Sequence, residues 1–196
     1  MTYLMSRLRS ATAIGWLCVV ALAGATVPAR AAGPETQAAL VALPNASFHG
    51  GNRVGSGGLD AADIPKIAAA GVREVIDLRT DSETPGFDEA AAVRAAGMQY
   101  HNLPIRGPQD LTPQNVRALD ALLSSAGDAP VLVHCASSNR VGALMALRAA
   151  TLQGKSTEAA IEVGKAWGLT SLEPIVREHL AKPAEPAKPA KPAKAG

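Results

Sequence analysis

The sequence predicts a single-domain α/β fold with a central, mainly parallel sheet flanked by helices. Three observations predict it: apolar runs of strand length alternate with helical stretches, Gly71, Gly97 and Gly154 each close a helical stretch, and the run Val131 to His134 reads as a buried strand. Leu59 to Ala70 reads as a helix, with Asp63 and Pro65 near its start or in a turn within it. VREVIDLR, residues 72–79, supplies a strand whose apolar positions are Val72, Val75, Ile76 and Leu78. Asp88 to Ala96 is a second helical stretch, and MQYHNLPI, residues 98–105, is the next strand. Thr112-Pro113 is a start signal, because a threonine oxygen caps free N–H groups and proline needs no partner in the first turn. That third helix runs to about Ser125; after Gly127 and Pro130 come the strand VLVH and a helix from Val141 to Gln153. The latter is apolar on nearly every face, with Arg148 the main exception, and belongs in the centre of the domain. Ser156 or Thr157 starts a helix with Ala160, Val163 and Trp167 on one side, and Ser171 starts a last short one. HGGNRVGSGG, residues 49–58, lacks the spacing of a phosphate-binding glycine loop and reads as a flexible turn region.

Both ends of the chain differ in character from this domain. Residues 1–31 have the layout of a secretory signal: Arg7 and Arg9, an apolar stretch from Ala11 to Val27, and a small-x-small site at Ala29-Arg30-Ala31. A retained membrane anchor is the competing reading, disfavoured by the glycine and alanine that dilute the stretch. Processing there predicts an exported, periplasmic protein with no integral membrane segment. It also removes Arg7, Arg9 and Arg30 and no acid, which takes the formal charge from +2 to −1. Residues 32–44 are a lead segment, residues 45–180 the domain, and residues 181–196 a Lys-Pro-Ala tail that cannot bury a core and favours extended, solvated chain. With only Phe48, Phe87, Tyr100 and Trp167 as aromatics after residue 31, a basic, aromatic-studded nucleic-acid surface is not expected.

The chemistry concentrates in VLVHCASSNRVGAL, residues 131–144. Cys18 leaves with the signal, so Cys135 is the sole cysteine of the processed chain and no internal disulfide forms. In an oxidising compartment such a thiol is either shielded in a pocket or kept reduced by another system. A cysteine between a strand and a helix sits at the positive end of the helix dipole, and a neighbouring cation adds to that field; both favour the thiolate. The N–H groups of Ala136, Ser137, Ser138, Asn139 and Arg140 form a nest for an anion, and the Arg140 guanidinium offers a two-pronged donor to a tetrahedral oxyanion. A buried structural cysteine is the alternative for a lone Cys. His49, His101 and His179 are scattered and form no metal-ligand spacing with one cysteine, so no metal is expected.

VLVHCASSNRVGAL, the preceding LPIRGPQDLT and the upstream VREVIDLR resemble, in order, the landmarks of the beta-lactamase-hydrolase-like, protein-phosphatase-like family, a bacterial branch of the cysteine-dependent tyrosine and dual-specificity phosphatases. The likeness covers roughly residues 45–178. It implies a dual-specificity-phosphatase-like fold, Cys135 as the nucleophile forming a phosphocysteine, Arg140 as the phosphate clamp, Ala136 to Asn139 as the phosphate-binding loop and His134 as its support. It also implies a phosphorylated small molecule or phosphoprotein as substrate and no cofactor. Asp110 is the candidate general acid, since a loop before the preceding helix can overhang the nucleophile; the alternative is that its side chain starts the helix at Thr112. Asp81 is a more distant substitute, and Arg79 and Arg106 contribute positive potential to the rim or are solvated.

The sequence also departs from that pattern. Four residues, not five, separate Cys135 from Arg140, the length seen in rhodanese-like sulfurtransferases; Ser138 stands where many such loops have glycine, and Val141 where a hydroxyl usually stands. Sulfur transfer through a Cys135 persulfide and anion binding without catalysis therefore stay open beside ester hydrolysis. Natural substrate and oligomeric state are not set by the sequence.

Overall fold

The computed structural model describes residues 38 and 40–182. The expected export signal, most of the lead segment and the Lys-Pro-Ala repeats lie outside the described residues. In chain order the elements are β1 (Ser47–His49), β2 (Arg53–Ser56), α1 (Ile64–Ala69), β3 (Glu74–Asp77), α2 (Glu89–Ala95), β4 (Gln99–Asn102), α3 (Pro113–Ser125), β5 (Val131–His134), α4 (Asn139–Thr151), α5 (Thr157–Ala166) and α6 (Glu173–Ala181). No helix among the described residues is long and apolar enough to cross a membrane.

The five strands lie in the order β1-β2-β5-β3-β4, with β1 antiparallel to β2 and every other pair parallel. This is the mainly parallel α/β sheet that the sequence predicts. Pleating sends alternate side chains to opposite faces. Val54, Leu132 and Val75 join Ile64, Ile67, Val93 and Met98 in the core under α1 and α2. Val131, Val133 and Ile76 join Leu119, Leu144, Leu147 and Ile161 in the core under α3, α4 and α5. Strand β5 is therefore buried on both faces and flanked on both edges, so the residue that follows it lies at the middle of the sheet's carboxyl edge. That residue is Cys135. Ligands of parallel sheets bind along this edge.

The structure corrects several boundaries. The first helix begins at Ile64, five residues after Leu59, because Asp60 Oδ1 accepts from the N–H groups of Ala62 and Asp63 and closes a turn instead. Pro65 then falls in the first helical turn, where its missing N–H leaves nothing unpaired. The third helix is as predicted, with Thr112 Oγ1 accepting from Asn115 N–H. Helix α4 begins two residues before Val141 and ends at Thr151, because Ser138 adopts φ 64° and turns the chain into the helix at once. Helix α6 continues to Ala181, one residue past the expected domain end.

The largest correction concerns residues 49–58. This stretch is not a flexible turn region: it holds β2, paired with β5 from Arg53↔Val131 to Ser56↔His134. Its glycines serve approach to the neighbouring chain. Gly57 N–H donates to Pro44 carbonyl at 2.6 Å, Gly58 N–H to Ala136 carbonyl at 3.1 Å, and Gly57 bridges Ser137. A side chain at Gly57 would meet Pro44 and the Ala136 carbonyl at 3.1–3.3 Å. The segment straps the Cys135 loop to the sheet. Arg53, at its start, donates to the carbonyls of Gly51, Leu123, Gly127 and Ala129, and so closes the end of α3 against the first hairpin.

Candidate active site

Cys135 directly follows β5, and Arg140 is the second residue of α4. Arg140 is held above its ordinary value chiefly by its hydrogen bonds to Glu83; burial opposes this, and charge and hydrogen bonding at Cys135 add to it. The guanidinium is therefore within electrostatic reach of the sulfur. Cys135 is itself 0% exposed, while Ala136 and Ser137 beside it are on the surface. Burial is shared by a shielded thiol and by the structural cysteine that the sequence leaves as its alternative.

The remaining loop residues divide between framework and opening. Ser138 is buried, its Oγ donates to Asn45 carbonyl at 3.4 Å, and it packs on Gly168, where a Cβ would stand 2.5 Å from the serine Cβ. Gly168 has φ +94°, a conformation that glycine adopts without strain. Asn139 turns its side chain away from the loop: Oδ1 accepts from the N–H groups of Thr170 and Leu172, and Nδ2 donates to Ser171. Only its backbone is left to a phosphate cradle. Val141 is fully buried and offers no hydroxyl.

Glu83 is a residue that the sequence reading does not single out. Its carboxylate accepts from Arg140 Nη1 at 2.8 Å and Nη2 at 2.5 Å, and is itself oriented by Thr80 N–H at 2.9 Å and Thr80 Oγ1 at 3.2 Å. The sequence signal was present in Thr80-Asp-Ser-Glu83, a capping box ahead of the turn at Asp81–Glu83. Arg140 first, and Thr80 after it, hold the Glu83 carboxyl at about 2 against an ordinary 4.5. Because the folded value lies below the unfolded one, the pair stabilises the fold fully above about 4.5 and loses that contribution as pH falls towards about 2. Acid unfolding of Glu83→Gln followed by circular dichroism is expected to show a shallower loss of stability across that window than the unsubstituted chain.

Asp110 is bound to its neighbour Arg106: Oδ2 accepts from Arg106 N–H at 2.9 Å and Nε at 2.8 Å, and Oδ1 from Nη2 at 2.8 Å. These bonds hold its carboxyl at about 2, so it is ionised near neutrality. Its side chain does not start α3; Thr112 caps that helix and Asp110 closes the loop before it. Arg106 lies on the surface in this pair, and Asp81 is exposed at the start of the Glu83 turn.

Behind the loop lies a buried charge cluster that periodicity does not reveal. Arg79 is not at the rim: burial works against its charge, but hydrogen bonds and charges from Asp77 and Glu89 outweigh this and hold it above its ordinary value. Tyr100 donates to Asp77 Oδ2 at 3.1 Å, and burial with the two carboxylates raises its phenol. His134 is fully buried, with Nε2 2.8 Å from Glu89 Oε1 in a geometry too bent for a hydrogen bond. Asp77, Glu89 and His134 bring donor atoms within 4.8 Å of one another, a set able to hold a metal ion. Arg79 already serves both carboxylates, so a guanidinium provides the cation that this set requires.

A mainly parallel α/β sheet whose central strand ends at His134 and is followed by Cys135, a short turn and an arginine on the next helix defines the phosphatase-like class with a dual-specificity-phosphatase fold. The family described as beta-lactamase hydrolase-like protein, phosphatase-like domain, matches residues 53–152, and the chain belongs to it. Relatives include the beta-lactamase hydrolase-like proteins of Agrobacterium fabrum, 36% identical over 112 residues (55% of this chain and 25% of that protein), and of Xylella fastidiosa strain Temecula1, 35% identical over 96 residues (47% and 22%). The chain thus spans about a quarter of the length of the curated relatives it matches. Among solved structures, a DUF442 protein of Shewanella putrefaciens CN-32 matches with TM-score 0.58 at 24% identity, covering 72% of this chain and 94% of that one. TpbA of P. aeruginosa in complex with pTyr matches with TM-score 0.56 at 20% identity, covering 80% and 91%. At these identities the likeness is one of fold.

Proposed function

We propose that the chain is a cysteine-dependent hydrolase of phosphomonoesters, with Cys135 as nucleophile and Arg140 as the clamp on the phosphoryl oxygens. The observation that carries this reading is the placement of Cys135 and Arg140 on either side of one short turn at the centre of the sheet's carboxyl edge. The thiolate attacks phosphorus, the bond from phosphorus to the leaving oxygen breaks, and that oxygen takes a proton. Water then attacks the phosphocysteine, the S–P bond breaks, and phosphate and thiolate are released. Arg140 offsets the charge that spreads over the phosphoryl oxygens. His134, at the end of β5, has no side-chain hydrogen bond to the loop among the described residues, because its ring lies among the buried charges beside Glu89. Asp110 is the proton donor of this reading; it takes up a proton only when Arg106 moves off its carboxylate. The sulfur, buried in this conformation, must likewise become accessible before chemistry. From residues 1–31 we place the protein in the periplasm, acting there on phosphorylated small molecules or phosphoproteins.

Sulfur transfer through a Cys135 persulfide is the second reading, favoured by the turn of only Ala136 to Ser138 before α4. One pair of assays on the purified chain separates the two. Phosphate release from a small aryl phosphate, with no thiocyanate formed from thiosulfate and cyanide, is the expected result. Thiocyanate formation without phosphate release would move the assignment to sulfur transfer. Oxyanion uptake with neither activity would leave an anion-binding module.

A further inference from the structure

A groove of about 690 Å³ lies between the first turns of α3, the turn that joins α4 to α5, and the end of α6. Arg117, Lys155, His179 and Lys182 line it, and no carboxylate does. Overall composition does not dictate this, since residues 40–182 hold 13 lysines and arginines against 15 acids. The acids nearest these cations in the chain are engaged with cations of their own. Asp120, one turn along α3 from Arg117, accepts from Arg148 Nε at 2.7 Å. Glu158, just past Lys155, accepts from the two terminal nitrogens of Arg177 at 2.7 and 3.0 Å. Glu178 accepts from Lys182 Nζ at 2.8 Å. Arg117 and Lys155 are both exposed, and neither has a carboxylate partner among the described residues.

Beside these cations the groove is apolar. Leu152 lines it at 42% exposure, one of two large hydrophobic side chains left on the surface among the described residues, and Leu180 lines it as well. An exposed leucine next to unpaired cations suits a ligand that carries an anionic group and hydrocarbon in one molecule. Lys182 adds a second indication: the chain leaves the described domain at this groove, and the residues that follow supply Lys188, Lys191 and Lys194 against one acid, Glu185. We propose that the groove seats the headgroup of an anionic phospholipid at a bilayer surface. Arg117 and Lys155 take the phosphate oxygens, Leu152 enters the interface, and the lysines after the domain add attraction that needs no fixed geometry. The contact is peripheral, since no described helix is long and apolar enough to cross a membrane. Free phosphate would meet the same cations but would leave Leu152 in water. The groove shares no residue with the turn from Cys135 to Arg140, so the proposal stands apart from the reading of that cysteine.

The test is co-sedimentation of the full chain with vesicles of phosphatidylglycerol and phosphatidylcholine in equal parts, and with vesicles of phosphatidylcholine alone. The apolar residues 11–27 are common to every protein compared, so differences between variants read the groove. Arg117→Gln with Lys155→Gln is expected to lower partition onto the anionic vesicles about tenfold or more. Lys66→Gln with Arg73→Gln removes the same charge from exposed positions outside the groove and is expected to lower it by no more than about twofold. Leu152→Ser, which removes no charge, is expected to weaken binding about threefold, and serves if the first pair does not fold. Binding should fall steeply between about 0.1 and 0.5 M salt, and Cys135→Ser should bind as the unsubstituted chain does. Equal losses in the two paired variants would reduce the effect to net charge and overturn the groove as its seat. So would a loss confined to Lys188, Lys191 and Lys194 changed together to Gln. Equal partition onto phosphatidylcholine alone overturns the anionic headgroup. Uptake of inorganic phosphate by calorimetry, lost in the first pair, with no vesicle binding would assign the groove to a soluble anion and overturn the bilayer reading.

Discussion

Cys135→Ser is expected to lower phosphate release from an aryl phosphate by at least about three orders of magnitude while leaving the fold in place. The physical basis is the difference between the two nucleophiles. Thiolate sulfur is a strong nucleophile, whereas a serine hydroxyl at the same position needs a base to take its proton. The nearest imidazole, His134, is buried in the charge cluster with Glu89 beside Nε2. Oxygen is also the smaller atom, so the fully buried site accepts it without overpacking, and the stability change should stay within about 1 kcal/mol. The check is a rate measured beside a urea melt for both proteins. Equal rates would remove Cys135 from the reaction, and a variant that melts much earlier would make the rate uninformative.

Gly142→Ala is the second large effect expected, and it acts on stability. Gly142 lies in the first turn of α4, where α4 meets α5 and the turn that follows it. A Cβ there would stand 2.2 Å from Leu169 N, 2.6 Å from Gly164 carbonyl and 2.7 Å from Leu169 Cα, all backbone atoms. Side chains can yield by changing rotamer, but backbone on a packed helix pair cannot. The facing Gly164 has the same constraint, since its Cβ would lie 2.8 Å from Gly142 carbonyl. We expect a loss of about 3 kcal/mol or more, and a fall in Tm of about 10 °C, against the slight gain that alanine gives in an exposed helix. The same turn carries Arg140, so oxyanion binding should weaken along with stability. An unchanged melt would mean that α4 and α5 can separate at no cost.

Much of the fold was legible because its signals are local. Thr112-Pro113 starts α3, the buried run VLVH forms the central strand, and Gly71, Gly97 and Gly154 take positive φ where helices or turns end. Strand β2 was not legible. In Arg53-Val-Gly-Ser56 only Val54 is a strong strand former, and the segment is held as a strand by its ladder with β5 and by glycines that let it approach Pro44 and Ala136. The candidate site divides in the same way. Cys135 and Arg140 stand five residues apart, and the turn between them is local, so their proximity could be read directly. The partners of Asp110, Arg79 and Asn139 could not. Asp110 turns to Arg106, Arg79 goes inward to Asp77 and Glu89, and Asn139 caps residues 170–172.

By itself, then, the sequence determined the alternation of strand and helix, the two-faced core and the placement of one cysteine at the end of its central strand. Periodicity, capping residues and glycine stops encode these within a few residues of chain. Tertiary structure decided which charges meet, Glu83 with Arg140 and Glu89 with Arg79, and how closely α4 can approach α5 at Gly142. Such pairings depend on parallel crossovers that bring together segments ten to almost sixty residues apart, and a carboxylate's partner is set by which cation the packed core leaves within reach.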